Sequence, residues 1–269
     1  MAKNVPVINF EKIFSTSCEL PYCKINREEF LTKELKKMVS PEQLANALKN
    51  GTVGAGIPIT VLDTIAKGSI KLETLKVTAL STAAGIPGGF VMIGTIPADL
   101  AQFYAHVFRI VQKLAYTYGA KELDLSDGTQ NALMIYLGAM FGVSAAGAAL
   151  AKFAAENATK IGARVAAKPL TKYAIYNISK KVLVWIGVKL TKVTVGKGVS
   201  KAVPIVGGVI SGGLSFTIYR HMANKLRKEL AKYAAMTPED LAKASEVADV
   251  ILADIIDISE EPLLEENDN

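Results

Sequence analysis

Apolar side chains recur at helical spacing between Asp99 and Gly119, and this stretch carries the clearest pattern in the chain. The repeating positions are Leu100, Phe103, Val107, Ile110, Val111, Leu114 and Tyr118. A repeat of three and four residues predicts an amphipathic helix. Asp99 is a favourable N-cap, and Gly119 is a favourable C′ residue because glycine adopts the left-handed conformation that closes many helices.

The same kind of pattern predicts helices elsewhere. Ser40 before Pro41 and Thr237 before Pro238 are typical helix starts, since proline is tolerated at the first helical position. The first of these helices is expected to end at Gly51 and the second at about residue 258. Residues 28–38 predict a short amphipathic helix, and residues 57–75 predict a helix with a break near Gly68.

Strand signals are confined to short runs such as residues 182–195, where alternation is poor. We therefore expect an all-α protein, a compact multi-helix domain with Gly-rich apolar core helices. The predicted organisation is an irregular N-terminal segment (1–26), a helical domain (27–258) and an acidic disordered tail (259–269).

Three long stretches contain no charged residue: 77–98, 128–151 and 202–219. Each approaches the roughly 20 residues that a membrane-spanning helix needs, so burial in a core and insertion into a membrane are both open. Their glycines are expected to allow close helix packing within the fold, within a membrane or between subunits. Gly138 and Gly142, four residues apart, are predicted to share one helical face. The close-approach glycines are Gly88, Gly89, Gly138, Gly142, Gly207, Gly208, Gly212 and Gly213.

Composition agrees with tight helix packing, membrane contact or both. Half of the 269 residues are hydrophobic and the mean hydropathy is +0.27, with much of the apolar content in small and branched residues. Cys18 and Cys23 match neither a zinc site nor a disulfide framework, so we expect reduced thiols and a cytosolic compartment. The N-terminus has no uninterrupted apolar run that would serve as a signal peptide.

Charge is distributed unevenly, although the net charge is only +6. All Lys and Arg residues precede Glu246, and the interval between Glu156 and Glu229 holds fourteen of them with no carboxylate. Such an interval is expected to attract lipid headgroups, nucleic acid or the chain's own acidic tail. Few aromatic residues and no recognisable module disfavour nucleic acid. Lysines separated by aliphatic residues favour an anionic membrane surface. The predicted contact residues are Lys160, Arg164, Lys168, Lys172, Lys180, Lys181, Trp185, Lys189, Lys192, Lys197 and Lys201.

Catalytic chemistry is only weakly indicated. Asp99 and His106 are seven residues apart and share a helical face, while Arg220 and His221 follow the second Gly-rich run. One hypothesis places these four side chains together in a metal or acid–base site of a hydrolase. Arg109 and Lys113 continue around the same helix as His106. No nucleophile elbow or phosphate-binding loop is present, so we predict no cofactor and no metal.

Four segments resemble the EcsC protein family: 84–89 (AGIPGG), 96–100 (IPADL), 114–119 (LAYTYG) and 203–208 (VPIVGG), the last leading through Ser211 and Phe216 to Tyr219 and Arg220. The resemblance covers about residues 30–233 and implies a helical fold without an assigned reaction. The founding member is associated by gene context with an ABC-type exporter, which implies a membrane-linked role. The matching positions are Gly88, Gly89, Asp99, Tyr118, Gly119, Pro204, Gly207 and Arg220. His106 and the acidic tail do not belong to the family pattern.

The favoured hypothesis is a non-enzymatic accessory or effector protein at the cytoplasmic face of a membrane, peripheral or partly inserted. Its partner would be anionic lipid or a membrane protein, and not nucleic acid, with self-association left open. One alternative is the metal-dependent hydrolase of Asp99, His106, Arg220 and His221. Another is a soluble scaffold whose acidic tail masks its basic interval, in which case removal of residues 259–269 should increase anion binding.

Overall fold

The computed structural model describes residues 10–84, 98–125, 132–160, 170–195 and 212–257. Within these ranges the protein is all-α and contains no strand, which confirms the predicted fold class. The helices are α1 (Phe10–Glu19), α2 (Arg27–Leu35), α3 (Pro41–Asn50), α4 (Ile59–Ala84), α5 (Ala98–Thr117), α6 (Ala132–Phe141), α7 (Ser144–Lys160), α8 (Lys172–Val195), α9 (Gly212–Ala234) and α10 (Pro238–Asp257).

Helix α6 lies at the centre of the fold and packs against α5, α7, α8 and α9. Its sequence, ALMIYLGAMF, is apolar on every side, and the residues from Leu133 to Met140 are all buried. A helix that is apolar all round needs a fully apolar environment, which here is the protein interior. Helix α4 packs on α5 and α9, α1 packs on α5, and α10 packs on α7.

Both predicted proline-containing helix starts are confirmed. The Ser40 hydroxyl accepts a hydrogen bond from the backbone N–H of Gln43 (3.2 Å), and Pro41 is the first residue of α3. Thr237 caps α10 in the same way, accepting from the N–H of Asp240 at 3.2 Å. Each bond satisfies one of the backbone donors that a helix start leaves unpaired.

Helix α5 ends as its sequence predicts. Gly119 has a φ of +95°, and the N–H of Ala120 donates to the carbonyl of Ala115 (2.9 Å). Together with the bond from the Gly119 N–H to the Tyr116 carbonyl (3.2 Å), this is a Schellman motif. Ala98 is already helical, so Asp99 lies within α5 and the prediction of Asp99 as its N-cap is wrong.

The uncharged stretch 128–151 does not form one long helix. Gly142 has a φ of +83° and ends α6, and α7 begins two residues later at Ser144. The break corrects the prediction that Gly138 and Gly142 share a helical face. No helix in the described part of the chain is both long enough and apolar enough to span a bilayer.

Gly138 by itself behaves as predicted for a close-approach glycine. A Cβ atom at this position would lie 2.6 Å from Cγ2 of Val182 in α8 and 2.7 Å from Cβ of Ala146 in α7. Packing here is therefore internal to the fold. Gly212 and Gly213 begin α9, whereas Gly88, Gly89, Gly207 and Gly208 lie outside the described residues.

Two further expectations are corrected. The segment 1–26 is not irregular throughout, because α1 forms and its Phe14 ring packs on Phe108 with 4.5 Å between centroids. Helix α4 continues through Gly68 without a break. One helical glycine costs only about 1 kcal/mol relative to alanine, and the burial of Ile65 and Ile70 on either side outweighs that cost.

Candidate functional site

A carboxylate surrounded by cations lies between α4 and α5. Glu73 of α4 has no exposed surface, and three side chains of α5 reach it. Nζ of Lys113 lies 2.6 Å from Oε1, and Nδ1 of His106 lies 2.9 Å from Oε2. Arg109 approaches both oxygens, at 3.4 and 3.5 Å. Lys76, one turn along α4, adds a fourth contact at 3.5 Å.

Helix geometry accounts for this convergence. His106, Arg109 and Lys113 are spaced three and four residues apart, so their side chains project from one face of α5. Glu73 occupies the apolar register of α4, together with the buried Ile70 and Val77. When the two faces pack, the polar residues of α5 meet the one carboxylate that α4 places there.

Electrostatics keeps Glu73 ionised. Burial alone would raise its pKa, but the hydrogen bond from His106 and the charges of Lys113 and Arg109 outweigh burial and hold the pKa well below its usual range. Burial lowers the pKa of Lys113, while Glu73 acts in the opposite direction. Because an ionised carboxylate only accepts hydrogen bonds, Nδ1 of His106 must carry the shared hydrogen.

The connection between α1 and α2 closes one side of this cluster. The Gln112 side chain donates to the carbonyl of Cys23 (3.0 Å) and accepts from the N–H of Ile25 (2.9 Å). Arg109 donates to the carbonyl of Tyr22. These bonds hold Tyr22 over α5, where its ring lies 5.5 Å from the ring of His106.

A cavity of about 300 Å³ opens beside the cluster. Its walls come from the α1–α2 connection, α4 and α5, and the lining residues are Tyr22, Lys76, Gln102, His106 and Arg109. We call this cavity the Glu73 pocket, after the buried carboxylate behind its wall. The five described residues that line it are polar or aromatic, and none of these five is acidic.

Of the four residues in the predicted hydrolase site, the structure describes the side chains of three. His106 is buried and pairs with Glu73, whereas Arg220 and His221 are exposed on α9. Asp99 lies in the first turn of α5, and its side chain is outside the described residues. Within the described ranges, no three His, Cys, Asp or Glu side chains are grouped closely enough to hold a metal ion.

The predicted cationic surface is described in part. Lys172, Lys180 and Lys181 are exposed on α8. Four more of the predicted residues lie in helices, but the structure does not describe their side chains: Lys160, Trp185, Lys189 and Lys192. The remaining four lie outside the described residues: Arg164, Lys168, Lys197 and Lys201.

Sequence reasoning missed Glu73, although a signal for it exists. Leu62, Ala66, Ser69 and Val77 are buried at helical spacing on α4, and position 73 falls within their register. A carboxylate in such a register needs a buried counter-charge. That counter-charge lies on α5, where Arg109 and Lys113 follow His106.

Comparisons with known proteins add no assignment at this point. No family model, curated protein or solved structure matches the chain.

Proposed function

We propose that the protein associates peripherally with anionic membrane surfaces through the outer face of α8. The observation that carries the proposal is a stripe of exposed cationic, aromatic and aliphatic side chains on this helix. Tyr173 is 50% exposed and Val184 is 58% exposed, with the exposed Lys180 between them. These three residues are seven and four positions apart, so they lie along one line on the helix surface.

The inner face of α8 fixes the direction of that stripe. Ala174, Ile178 and Val182 are buried at intervals of four residues on the opposite side of the helix. Helix α8 packs on α6, where Val182 lies against Gly138, and this contact keeps Tyr173 and Val184 on the outer face. Tyr173 and Val184 therefore remain on the outer face of α8, where a partner surface can reach them.

The chemistry of the stripe fits a lipid headgroup layer. Lysine stems can lie along apolar surface while their ammonium groups reach lipid phosphates, and tyrosine is favoured at membrane–water boundaries. Lys180 already lies over the ring of Tyr176, 5.9 Å from its centroid. No carboxylate occurs between Glu156 and Glu229, so the sequence around α8 provides no competing negative charge.

The resemblance to the EcsC family supports the same setting, since its founding member is linked by gene context to an exporter. We therefore place the proposed surface at the cytoplasmic face of a membrane, in a non-enzymatic accessory role. The alternative partner is a membrane protein with an acidic surface, which the vesicle experiment below distinguishes from lipid.

Vesicle flotation tests the proposal. The full chain should float with phosphatidylcholine vesicles that contain phosphatidylglycerol, and should not float with pure phosphatidylcholine. Each lysine near an anionic surface contributes about 1 kcal/mol, so Lys180→Gln with Lys181→Gln should weaken binding about 30-fold. Binding should also fall at about 1 M salt, where the Debye length is about 3 Å.

A matched control is available immediately after α2. Lys36 and Lys37 are also adjacent and exposed, so Lys36→Gln with Lys37→Gln removes the same charge from another surface. This control should bind vesicles like the unmodified chain. Absence of binding to anionic vesicles, or equal losses in the two double variants, would refute the α8 surface.

A further inference from the structure

The Glu73 pocket has an unbalanced positive charge. Three cations, Lys76, Arg109 and Lys113, contact Glu73, which is the one carboxylate among the described groups that they share. Among the described groups, the cations that contact Glu73 therefore exceed its charge by two, before His106 is counted. Arg109 and Lys113 are largely buried, and the cost of burying their charges falls when a partner of opposite charge lies nearby.

Hydrogen-bond donors remain available on the pocket side. The Arg109 guanidinium has five N–H groups, and the contacts to Glu73 and to the Tyr22 carbonyl use three of its nitrogens once each. Lys76 has three ammonium hydrogens, and its side chain is 42% exposed. Gln102 contributes an amide on the next turn of α5 from His106.

Glu73 also holds these donors in place. It contacts two nitrogens of Arg109 and Nδ1 of His106, so it restricts the orientation of both side chains. Preorganised donors bind an anion without first losing conformational freedom. Glu73 itself has no exposed surface, so it lies behind the wall and does not contact a ligand in the pocket.

We propose that the Glu73 pocket binds a doubly charged oxyanion, and that the ligand is a phosphate monoester with a small organic part. Two negative charges on the phosphate match the two excess positive charges among the described groups, and Arg109 with Lys76 supplies the guanidinium and ammonium groups typical of phosphate sites. A cavity of about 300 Å³ is at the lower end of small-ligand pockets and exceeds the needs of inorganic phosphate alone.

This site does not depend on the proposed function of α8. The phosphate monoester could be a soluble metabolite or the headgroup of a lipid such as phosphatidic acid, since both present the same chemical group. The experiment therefore has a soluble arm and a vesicle arm.

In the soluble arm, glycerol 3-phosphate is titrated into the full chain by calorimetry, with glycerol and lactate as control ligands. Saturable binding is expected only for the phosphate, with a Kd in the millimolar range or below. Lys76→Gln should weaken it about tenfold, which is the effect of one charge-assisted hydrogen bond. Lys71→Gln removes an exposed lysine from the same helix outside the pocket and should have no effect.

Gln102→Glu is the decisive variant. A carboxylate there would neutralise part of the excess charge, so the fold should keep or gain thermal stability while phosphate binding falls more than tenfold. If Gln102 had only a structural role, Gln102→Glu would change thermal stability and phosphate binding together. The proposal is overturned if the unmodified chain shows no saturable binding, or if Lys71→Gln weakens binding as much as Lys76→Gln.

In the vesicle arm, vesicles containing phosphatidic acid are compared with phosphatidylglycerol vesicles of equal surface charge. Preference for phosphatidic acid that disappears in Gln102→Glu identifies a lipid headgroup as the source. Binding of glycerol 3-phosphate without that preference identifies a soluble ligand. Failure of the α8 surface is distinguishable, because the chain would then bind glycerol 3-phosphate while ignoring phosphatidylglycerol vesicles.

Discussion

Helix α4 presents two carboxylates to its neighbours, and their surroundings differ in depth and in charge balance. Asp63 and Glu73 are ten residues apart, about 15 Å along the helix. The side chain of Asp63 is 23% exposed and binds Lys67 (2.7 Å), Arg227 and the Tyr118 hydroxyl (3.3 Å). Glu73 has no exposed surface and is enclosed by the α5 cations.

The two carboxylates therefore have different roles in the fold. Asp63 links α4 to α9 through Arg227 and to the end of α5 through Tyr118. Water still reaches its side chain, so we interpret Asp63 as a partly hydrated link between helices. Glu73 is dehydrated, its cations exceed its charge, and a cavity opens beside them. Buried ion clusters are weak evidence for stability, whereas strongly shifted pKa values concentrate at functional sites. The difference directs functional experiments to Glu73 and folding experiments to Asp63.

The largest expected effect is on stability when each carboxylate is neutralised. Glu73→Gln leaves Lys113 buried without a counter-charge and should lower the free energy of unfolding by about 3–5 kcal/mol. Asp63→Asn should cost about 1–2 kcal/mol, because its cations are partly hydrated. Urea unfolding followed by circular dichroism measures both values. Equal losses would remove the distinction between the two sites.

Acid should weaken the fold through Glu73. Its pKa in the folded protein lies below the ordinary value of 4.5. The stabilisation is therefore complete above about pH 4.5 and is lost as pH falls toward the folded pKa. The slope contributed by Glu73 is at most about 1.4 kcal/mol per pH unit. Urea unfolding at a series of pH values should show a flatter acid limb in Glu73→Gln than in Asp63→Asn.

Carbon NMR of the glutamate carboxyl groups gives an independent measure in the unmodified chain. The Glu73 resonance should keep its ionised shift at pH 3.5, where exposed glutamates are mostly protonated. Titration of Glu73 at its ordinary pKa would contradict the electrostatic description of the cluster.

The smallest expected effect concerns the hydrogen bond from Tyr118 to Asp63. Tyr118→Phe removes a hydrogen bond to a carboxylate and should cost about 1.5 kcal/mol. Tyr233 donates over the same 3.3 Å to the neutral carbonyl of Gly147, so Tyr233→Phe should cost less, about 0.5–1 kcal/mol. Thermal unfolding compares the two. A larger loss in Tyr233→Phe would show that Asp63 gains little from Tyr118.

Local patterns predicted much of the fold. The starts of α3 and α10 and the end of α5 depend on residues within one helical turn, and the hydrogen bonds of Ser40, Thr237 and Gly119 confirm them. The helical character of the chain follows from the same short-range spacing. Predictions that needed distant contacts fared less well, as with α1 and the uninterrupted α4.

In the candidate site, too, the sequence shows the local spacing but not the distant contact. The spacing of His106, Arg109 and Lys113 is visible in the sequence, but their shared partner lies 33 to 40 residues away. Their pairing follows from how α4 and α5 pack, and that register depends on apolar contacts along both helices. The predicted set of Asp99, His106, Arg220 and His221 did not include Glu73, because a helix pattern shows which residues share a face and not which face of another helix they meet.

The sequence by itself thus determined the helical character of the chain, several helix ends and the carboxylate-free cationic interval, because these depend on residues close together in the chain. Only the tertiary structure decided that α6 is buried and that Tyr173 and Val184 remain exposed. It also decided that one buried carboxylate, Glu73, pairs with the cations of α5. Burial and charge pairing are properties of packed surfaces, and those surfaces exist only once distant helices have met.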